Sequence, residues 1–507
     1  MENWPKHPVI CELNTWVWLN QLTQEAQQPI TLANVPEAEL QRLSGLGFDG
    51  LWLMGVWRRS PAARRIAREG AEFQDGHRRA LPDYTPEDIV GSAYAIFDYH
   101  VDAALGGDDG LAAFRKRLHA CGLHLILDFV PNHLSRDHAW TVEHPERFVQ
   151  GTEADLARDP GIFFRCESRW GPRVLAHGRD PYFPAWTDTA QLDYRRSETQ
   201  QAMTDELVDI AARCDGVRCD MAMLENQDTF LKTWGGSFES SQPEFWLKAI
   251  PAVREKYPGF LFMAEVYWGL DQEEKLQRFG FDYTYDKRLY DLLLHGDAGA
   301  VRNRLRESDA AYQSSLVRFI ENHDEERART AFGLARSRAA AALALALPGM
   351  RLLHEGQIEG YQVHLPVRLG RRQVEPPEPD LVSFYHRLLL ALRHTVFHDG
   401  AWRLLEPRQV AWDNSSSQSF VAYRWALDGQ YRLVAVNLGG DRAQCSLYFD
   451  LPSLAGKKWW LQDLLSDARY LEDGSQLLSS GLYLDMPGYG YHVFEVLPGP
   501  PSGATVG

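Results

Sequence analysis

Four short stretches of this chain concentrate groups suited to acid–base and nucleophilic chemistry: DFVPNH at 128–133, GVRCD at 216–220, AEVYW at 264–268 and FIENHD at 319–324. Between them they supply Asp128, Asn132, His133, Arg218, Asp220, Glu265, His323 and Asp324. Arg218 stands two residues before Asp220, and a permanently charged guanidinium can hold that carboxyl ionised through charge and hydrogen bonding. Glu265 has Phe262, Tyr267 and Trp268 near it in sequence, and apolar neighbours together with other carboxylates raise a carboxyl toward its protonated form. An ionised carboxylate beside a protonated carboxyl is the pair that displacement at an acetal carbon with retention requires. One attacks the carbon and the other protonates the leaving oxygen, from about 5 to 5.5 Å away. Asp324 could bond hydroxyls and oppose a developing positive charge, which speeds a reaction only if the interaction grows in the transition state. Each stretch also has a plain structural reading, since a strand-end Asp often caps the next turn and an Arg near an Asp can simply pair with it.

Such chemistry needs a frame that brings the four stretches together. Short β-branched or aromatic runs at 9–12, 50–54, 124–129, 216–221, 261–266, 281–285, 316–320 and 350–354 alternate with helix-length segments such as 36–46, 111–121, 197–213, 243–256, 326–347 and 381–393. That alternation predicts parallel βα units. Eight of them close most economically into a (β/α)8 barrel, where reactive residues sit at the C-terminal strand ends. The four stretches end or follow strands three, four, five and seven, so one mouth would collect them all. One connection, 134–193, is too long for an ordinary loop and is rich in Pro, Gly and aromatics, including Trp140, Trp170 and Trp186; loops of that length are usually functional. The three tryptophans are read as core or lid aromatics rather than sugar platforms. From residue 399 the texture changes to short strands, with SFVAYRW and YRLVAVNL flanking an Asp428-Gly429 turn, which predicts an antiparallel β-sandwich.

In order, spacing and strand assignment the four stretches resemble the α-amylase superfamily, the glycoside hydrolase family 13 type, over about residues 7 to 495. The resemblance implies a (β/α)8 barrel formed by residues 1–133 and 194–398, an inserted domain at 134–193 and a C-terminal β domain at 399–497, and the PPSGATVG ending is read as part of a flexible tail at 498–507. It implies Asp220 as nucleophile, Arg218 as its partner, Glu265 as general acid/base, and His323 with Asp324 as the pair that grips the sugar in the reacting subsite. His133 matches a further subsite histidine, and Tyr94, in GSAYAIFDY, an aromatic stacked under the same sugar. Asp128 is read as an orienting neighbour of Arg218, and Asn132 as what remains of the family's calcium ligands.

The pattern also breaks. Where starch-cleaving members carry Lys-His three and four places after the nucleophile, this chain has Met223 and Leu224, and Gln191 takes the place of a calcium-coordinating Asp. Losing an anionic ligand weakens a site that needs several oxygens on Ca²⁺, so no calcium is expected there and no other cofactor is implied. Met and Leu offer no hydrogen bonds to a long glucan, which favours a short acceptor. The expectation is a retaining α-glycoside hydrolase or transglycosylase acting on short α-glucosides through a covalent glycosyl-enzyme. The alternatives are a phosphorylase or isomerase using the same intermediate, or an inactive carbohydrate-binding relative.

Composition excludes other classes. Among 507 residues, hydrophobic types make up 45% and charged types 24%, which is the profile of a folded globular protein. A net charge of −16 repels phosphate backbones and acidic lipid, so neither nucleic acid nor a membrane is expected as partner. No stretch approaches the about 18 apolar residues of a membrane span, and no basic segment with an apolar run opens the chain. The six cysteines are scattered without a CxxC pair and are read as buried thiols of a cytoplasmic protein. The partner expected is a small α-linked sugar, and the oligomeric state is left open.

Overall fold

The computed structural model describes residues 4–307 and 309–500. Eight parallel strands form a closed barrel: β1 (Val9–Asn14), β2 (Gly50–Met54), β3 (His124–Phe129), β4 (Gly216–Cys219), β5 (Leu261–Ala264), β6 (Tyr283–Tyr285), β7 (Leu316–Arg318) and β8 (Met350–His354). They stand in sequence order around the ring, β8 pairing back onto β1. Their side chains are almost wholly buried, as expected for parallel strands covered by side chains inside and helices outside. The register sets Arg218 beside Asp128 on β3 and Met263 on β5, so residues that follow β4 and β5 emerge next to each other.

Several expected bounds change: the strand at 261–266 ends at Ala264, that at 281–285 begins at Tyr283 and that at 316–320 ends at Arg318. The strand expected over 216–221 stops at Cys219, and Asp220 already belongs to the turn, with Met221 at φ 44°. The helix expected over 326–347 is two helices, Ala328–Phe332 and Leu334–Ala344, because Gly333 at φ +74° ends the first and precedes the second.

The long connection after β3 leaves and re-enters the barrel through a two-stranded antiparallel neck, His133–Ser135 against Thr189–Gln191. It carries a three-stranded antiparallel sheet built on the hairpin Phe163–Ser168 and Gly171–Ala176. After the barrel, a six-stranded and a three-stranded antiparallel sheet enclose a second core containing Phe420, Leu433, Cys445, Leu461, Leu484 and Phe494. The Asp428-Gly429 turn takes φ 47° and 79° with Leu427 opposite Gln430, the left-handed pair a two-residue hairpin requires. Alternate residues of the same strand, Val421, Tyr423 and Trp425, face the barrel side instead. Trp425 donates to the Ala346 carbonyl at 2.9 Å and Tyr423 to the Leu343 carbonyl at 2.5 Å. Pro498, read as tail, still pairs with Trp459, while 501–507 lie outside the described residues.

The cysteines are unpaired; Cys11, Cys214, Cys219 and Cys445 are buried, but Cys121 and Cys166 are only half-buried, so the reading of all six as core thiols is corrected for those two. Among the described residues no helix is long and apolar enough to cross a membrane.

Candidate active site

Arg218 and Asp220 leave the end of β4 two residues apart and so on the same side. Arg218 Nη1 donates to Asp220 Oδ1 at 2.7 Å, and its Nη2 stands 2.7 Å from Glu265 Oε1, the first residue after β5. The second contact has no hydrogen-bond geometry, so it acts through charge. One fully buried guanidinium thus spans both carboxyls. Burial raises the Asp220 carboxyl, and Arg218 opposes that shift. Asp128 lies behind Arg218, 3.8 Å from Nη1. Its two oxygens accept from the Trp52 indole at 3.1 Å and the Gly55 N–H at 3.0 Å, and burial lifts its pKa to about 6 against the pull of Arg218.

Glu265 is pushed up to about 7 by burial, against Arg218, with Asp220 and Asp324 adding to the rise. Its Oε1 accepts from the Tyr267 hydroxyl at 2.8 Å and its Oε2 from the Met221 N–H at 2.7 Å. The left-handed backbone at Met221 is uncommon for a side chain of that size, and it aims that N–H at the carboxyl. Of the three ring residues that the sequence places around Glu265, Phe262 is buried in the hydrophobic core and Tyr267 serves as a polar partner.

His323 is held from both sides. Its Nδ1–H donates to Glu12 Oε1 at 2.5 Å, while Nε2 faces the Tyr94 hydroxyl at 2.7 Å and Asp324 Oδ2 at 3.1 Å. Burial alone would lower the imidazole pKa, but Asp324 and Glu12 together raise it well above its ordinary value. Against its own desolvation, Asp324 is held well below the usual carboxylate range by His323. The result is an imidazolium–carboxylate pair whose Asp324 side chain is still 45% exposed. Tyr94 stacks on His323 at 5.5 Å and covers Arg218 at 5.2 Å.

Of these groups Tyr94, Asp220, Met221, Glu265, Tyr267 and Asp324 line one cleft of about 510 Å³, within the roughly 300–1,000 Å³ of small-molecule sites. His133 is on its wall, its Nε2–H donating to the Tyr94 carbonyl at 3.2 Å while Nδ1 accepts from Asn132 Nδ2 at 3.2 Å. Burial lowers its pKa to about 4, so it stays neutral. The inserted domain adds Phe183, Trp186 and Asp188, and the segment after β8 adds Arg368. Trp186, read as core or lid, packs at 5.1 Å from His133 and faces the cleft. Trp140 packs under Arg147, and Trp170 is 64% exposed at a hairpin tip rather than buried. Met223 and Leu224, expected to shape the acceptor side, are buried in the protein; Met221 lines the cleft instead.

Of the site residues read from sequence, Asp220, Glu265, Asp324, Tyr94 and His133 line the cleft, while Arg218, His323, Asp128 and Asn132 are buried and hold them from the protein side. Glu12 and the Met221 backbone were not among the residues the sequence pointed to, and Tyr267 was expected only as an apolar neighbour of Glu265 rather than as its hydrogen-bond donor. A lone acid in the apolar run VICEL was the available signal for Glu12, because a wholly buried carboxylate is rare without a partner.

The place of the family's calcium does not fit a cation. Gln191 Nε2 donates to the Asn132 carbonyl at 2.8 Å, to Asn132 Oδ1 at 2.9 Å and to the Leu192 carbonyl at 3.1 Å. Turning the amide over would set its oxygen against three acceptors, so the network fixes this orientation. A donor nitrogen already fills the space between the oxygens.

At 24% identity the chain is similar to the α-amylase MalA of Haloarcula japonica over 452 residues, 86% of this chain and 56% of that protein. It is similar in fold to an α-amylase from Lactobacillus plantarum (TM-score 0.68, 22% identity, 97% of this chain and 99% of that one). A maltogenic α-amylase from Thermotoga neapolitana gives TM-score 0.67 at 18% identity with the same coverage. The chain spans about half the length, or less, of the sequence relatives it matches. The model of the α-amylase catalytic domain matches residues 37–367, well over half of the chain, and with the barrel and its cleft in place this protein belongs to the α-amylase family.

Proposed function

We propose that the protein is a retaining α-glycosidase or transglycosidase that acts on short α-linked glucosides. The observation that carries this reading is the buried Arg218 guanidinium spanning Asp220 and Glu265, hydrogen-bonded to the first and paired with the second through charge alone. It keeps the two carboxyls close and their environments unequal, as double displacement requires. Asp220 attacks the anomeric carbon while Glu265 protonates the leaving oxygen. A glycosyl ester on Asp220 results, and an acceptor then reaches it with Glu265 taking the proton. Asp324 and His323 grip hydroxyls of the reacting ring and oppose its positive charge, and Tyr94 and His133 bound the same subsite.

A short substrate is supported by the cleft's size and by Phe183, Trp186 and Arg368 on its wall. A smaller hollow of about 220 Å³ adjoins it past Trp268, lined by Tyr182, Asp228, Lys232 and Gln272, a mixture of rings and hydrogen-bonding groups suited to one more hydroxylated unit. An α-glucosidase from Apis mellifera is among the sequence relatives. We take the chain as a barrel of 1–133 and 194–398 with 134–193 inserted and 399–497 appended. The test is a screen of α-linked disaccharides, maltooligosaccharides and aryl α-glucosides, with products resolved with and without phosphate. Turnover of short glucosides with retained anomeric configuration is expected. Phosphate-dependent sugar phosphate would make it a phosphorylase, and binding without turnover across the panel would sink the enzymatic reading.

A further inference from the structure

Glu265 has three groups set against its oxygens: the Met221 N–H donating to Oε2, the Tyr267 hydroxyl donating to Oε1, and the Arg218 guanidinium facing Oε1 through charge alone. Two of these, a backbone amide and a guanidinium, have no acceptor capacity at all. They can hold the carboxylate but offer nothing to an acid proton. The Tyr267 hydroxyl is different, because a phenol oxygen donates or accepts according to the rotation of its O–H. Tyr267 also lines the cleft beside Glu265.

We infer that Tyr267 is the positioning residue for the acid/base, with a hydroxyl that reverses direction as Glu265 changes protonation state during the cycle. When Glu265 carries the proton on Oε1, the Tyr267 oxygen accepts it. In the first half-reaction that proton goes to the leaving oxygen as the glycosidic C–O bond breaks and the Asp220 oxygen bonds the anomeric carbon. Tyr267 then turns and donates to the new carboxylate. In the second half-reaction water or an acceptor hydroxyl attacks the anomeric carbon, the ester bond to Asp220 breaks, and the acceptor's proton passes to Glu265 while Tyr267 turns back. Tyr267 loses no proton at any stage; burial and the neighbouring Glu265 keep its phenol protonated. The other charged or titratable groups facing Glu265 are Arg218 on β4, Asp220 after it, Tyr285 on β6 and Asp324 after β7, and none of them both donates and accepts at Oε1.

The inference rests on the proposed role of Glu265. Tyr267→Phe removes one oxygen and leaves the ring. Because a hydrogen bond to a charged group is stronger than one to a neutral group, its loss hurts the carboxylate more than the acid. The alkaline limb of kcat/KM should therefore move up by about half a pH unit or more. Turnover of a disaccharide should fall by about tenfold or more, while formation of the glycosyl-enzyme from an aryl glucoside with a good leaving group, followed as a burst, should be nearly spared. An alkaline limb and substrate ratio equal to wild type would overturn the inference. So would an equal loss on both substrates at every pH together with a lowered Tm, which marks a merely structural ring. Wild-type turnover by Glu265→Gln would instead overturn the underlying role of Glu265, so the two failures are distinguishable.

Discussion

Glu12 Oε1, at the C-terminal half of β1, lies 2.5 Å from His323 Nδ1, tying the first strand of the barrel to a loop more than three hundred residues later. Glu12 is wholly buried and Oε1 also accepts from the His323 N–H at 3.3 Å. It fixes which nitrogen of His323 points into the cleft and keeps the ring cationic against its burial. Glu12→Gln should lower the His323 pKa and cost about ten- to hundred-fold in kcat/KM, the scale of one buried hydrogen bond to a charged group. Kinetics alongside an NMR titration of the histidine check this; a variant with wild-type kcat/KM would show that the contact only packs.

Asp220→Asn removes the attacking oxygen and should lose several orders of magnitude in kcat. Glu265→Gln should retain more activity on substrates whose leaving group needs no protonation. Paired measurements on an aryl α-glucoside and a disaccharide separate the two roles. Near wild-type turnover by Asp220→Asn would move the nucleophile elsewhere.

The raised pKa of Glu265 has a consequence for stability as well as rate. Its folded value of about 7 lies above the ordinary 4.5, so the folded state holds a proton that the unfolded chain has released between those values. The stability this proton supplies is full below about pH 4.5 and is lost as pH rises through about 7. Replacing the acid by a neutral amide should therefore raise Tm relative to wild type at pH 8, by an amount equivalent to about 1–3 kcal/mol, and the advantage should vanish at pH 4.5. Thermal unfolding across that range tests it, and a pH-independent difference would contradict it.

The amide of Gln191 holds the neck of the inserted domain through three oxygens, a task that needs no ion. Chelation by EDTA should change neither Tm nor activity, because a bound ion would stabilise the fold by RT ln(1 + [L]/Kd) and betray itself on removal. Gln191→Asp exchanges the donor for an anion among three acceptors; it should lower Tm by several degrees and make Tm responsive to added Ca²⁺. A drop in wild-type Tm on chelation, reversed by calcium, would locate ligands elsewhere in the inserted domain.

What the amino-acid sequence determined by itself was the barrel and the four strand-end stretches, because both rest on local pattern. Alternation of apolar runs with helical segments leaves few ways to close, and β2, β3 and β8 begin and end where composition placed them. The Asp428-Gly429 turn was equally local, since only left-handed backbone suits a two-residue hairpin. Tertiary structure decided what depends on partners distant in the chain. Glu12 became meaningful only when closure of the barrel set β1 beside the strand-seven loop, and Tyr267 only when the left-handed turn at Met221 brought a second donor to the same carboxyl. Met223 and Leu224 sit three and four residues from Asp220 yet are buried, while Trp186 and Arg368 reach the cleft from distant loops. A side chain's direction after the end of a strand is set by the turn and by what packs against it, and neither has a period that can be read along the chain.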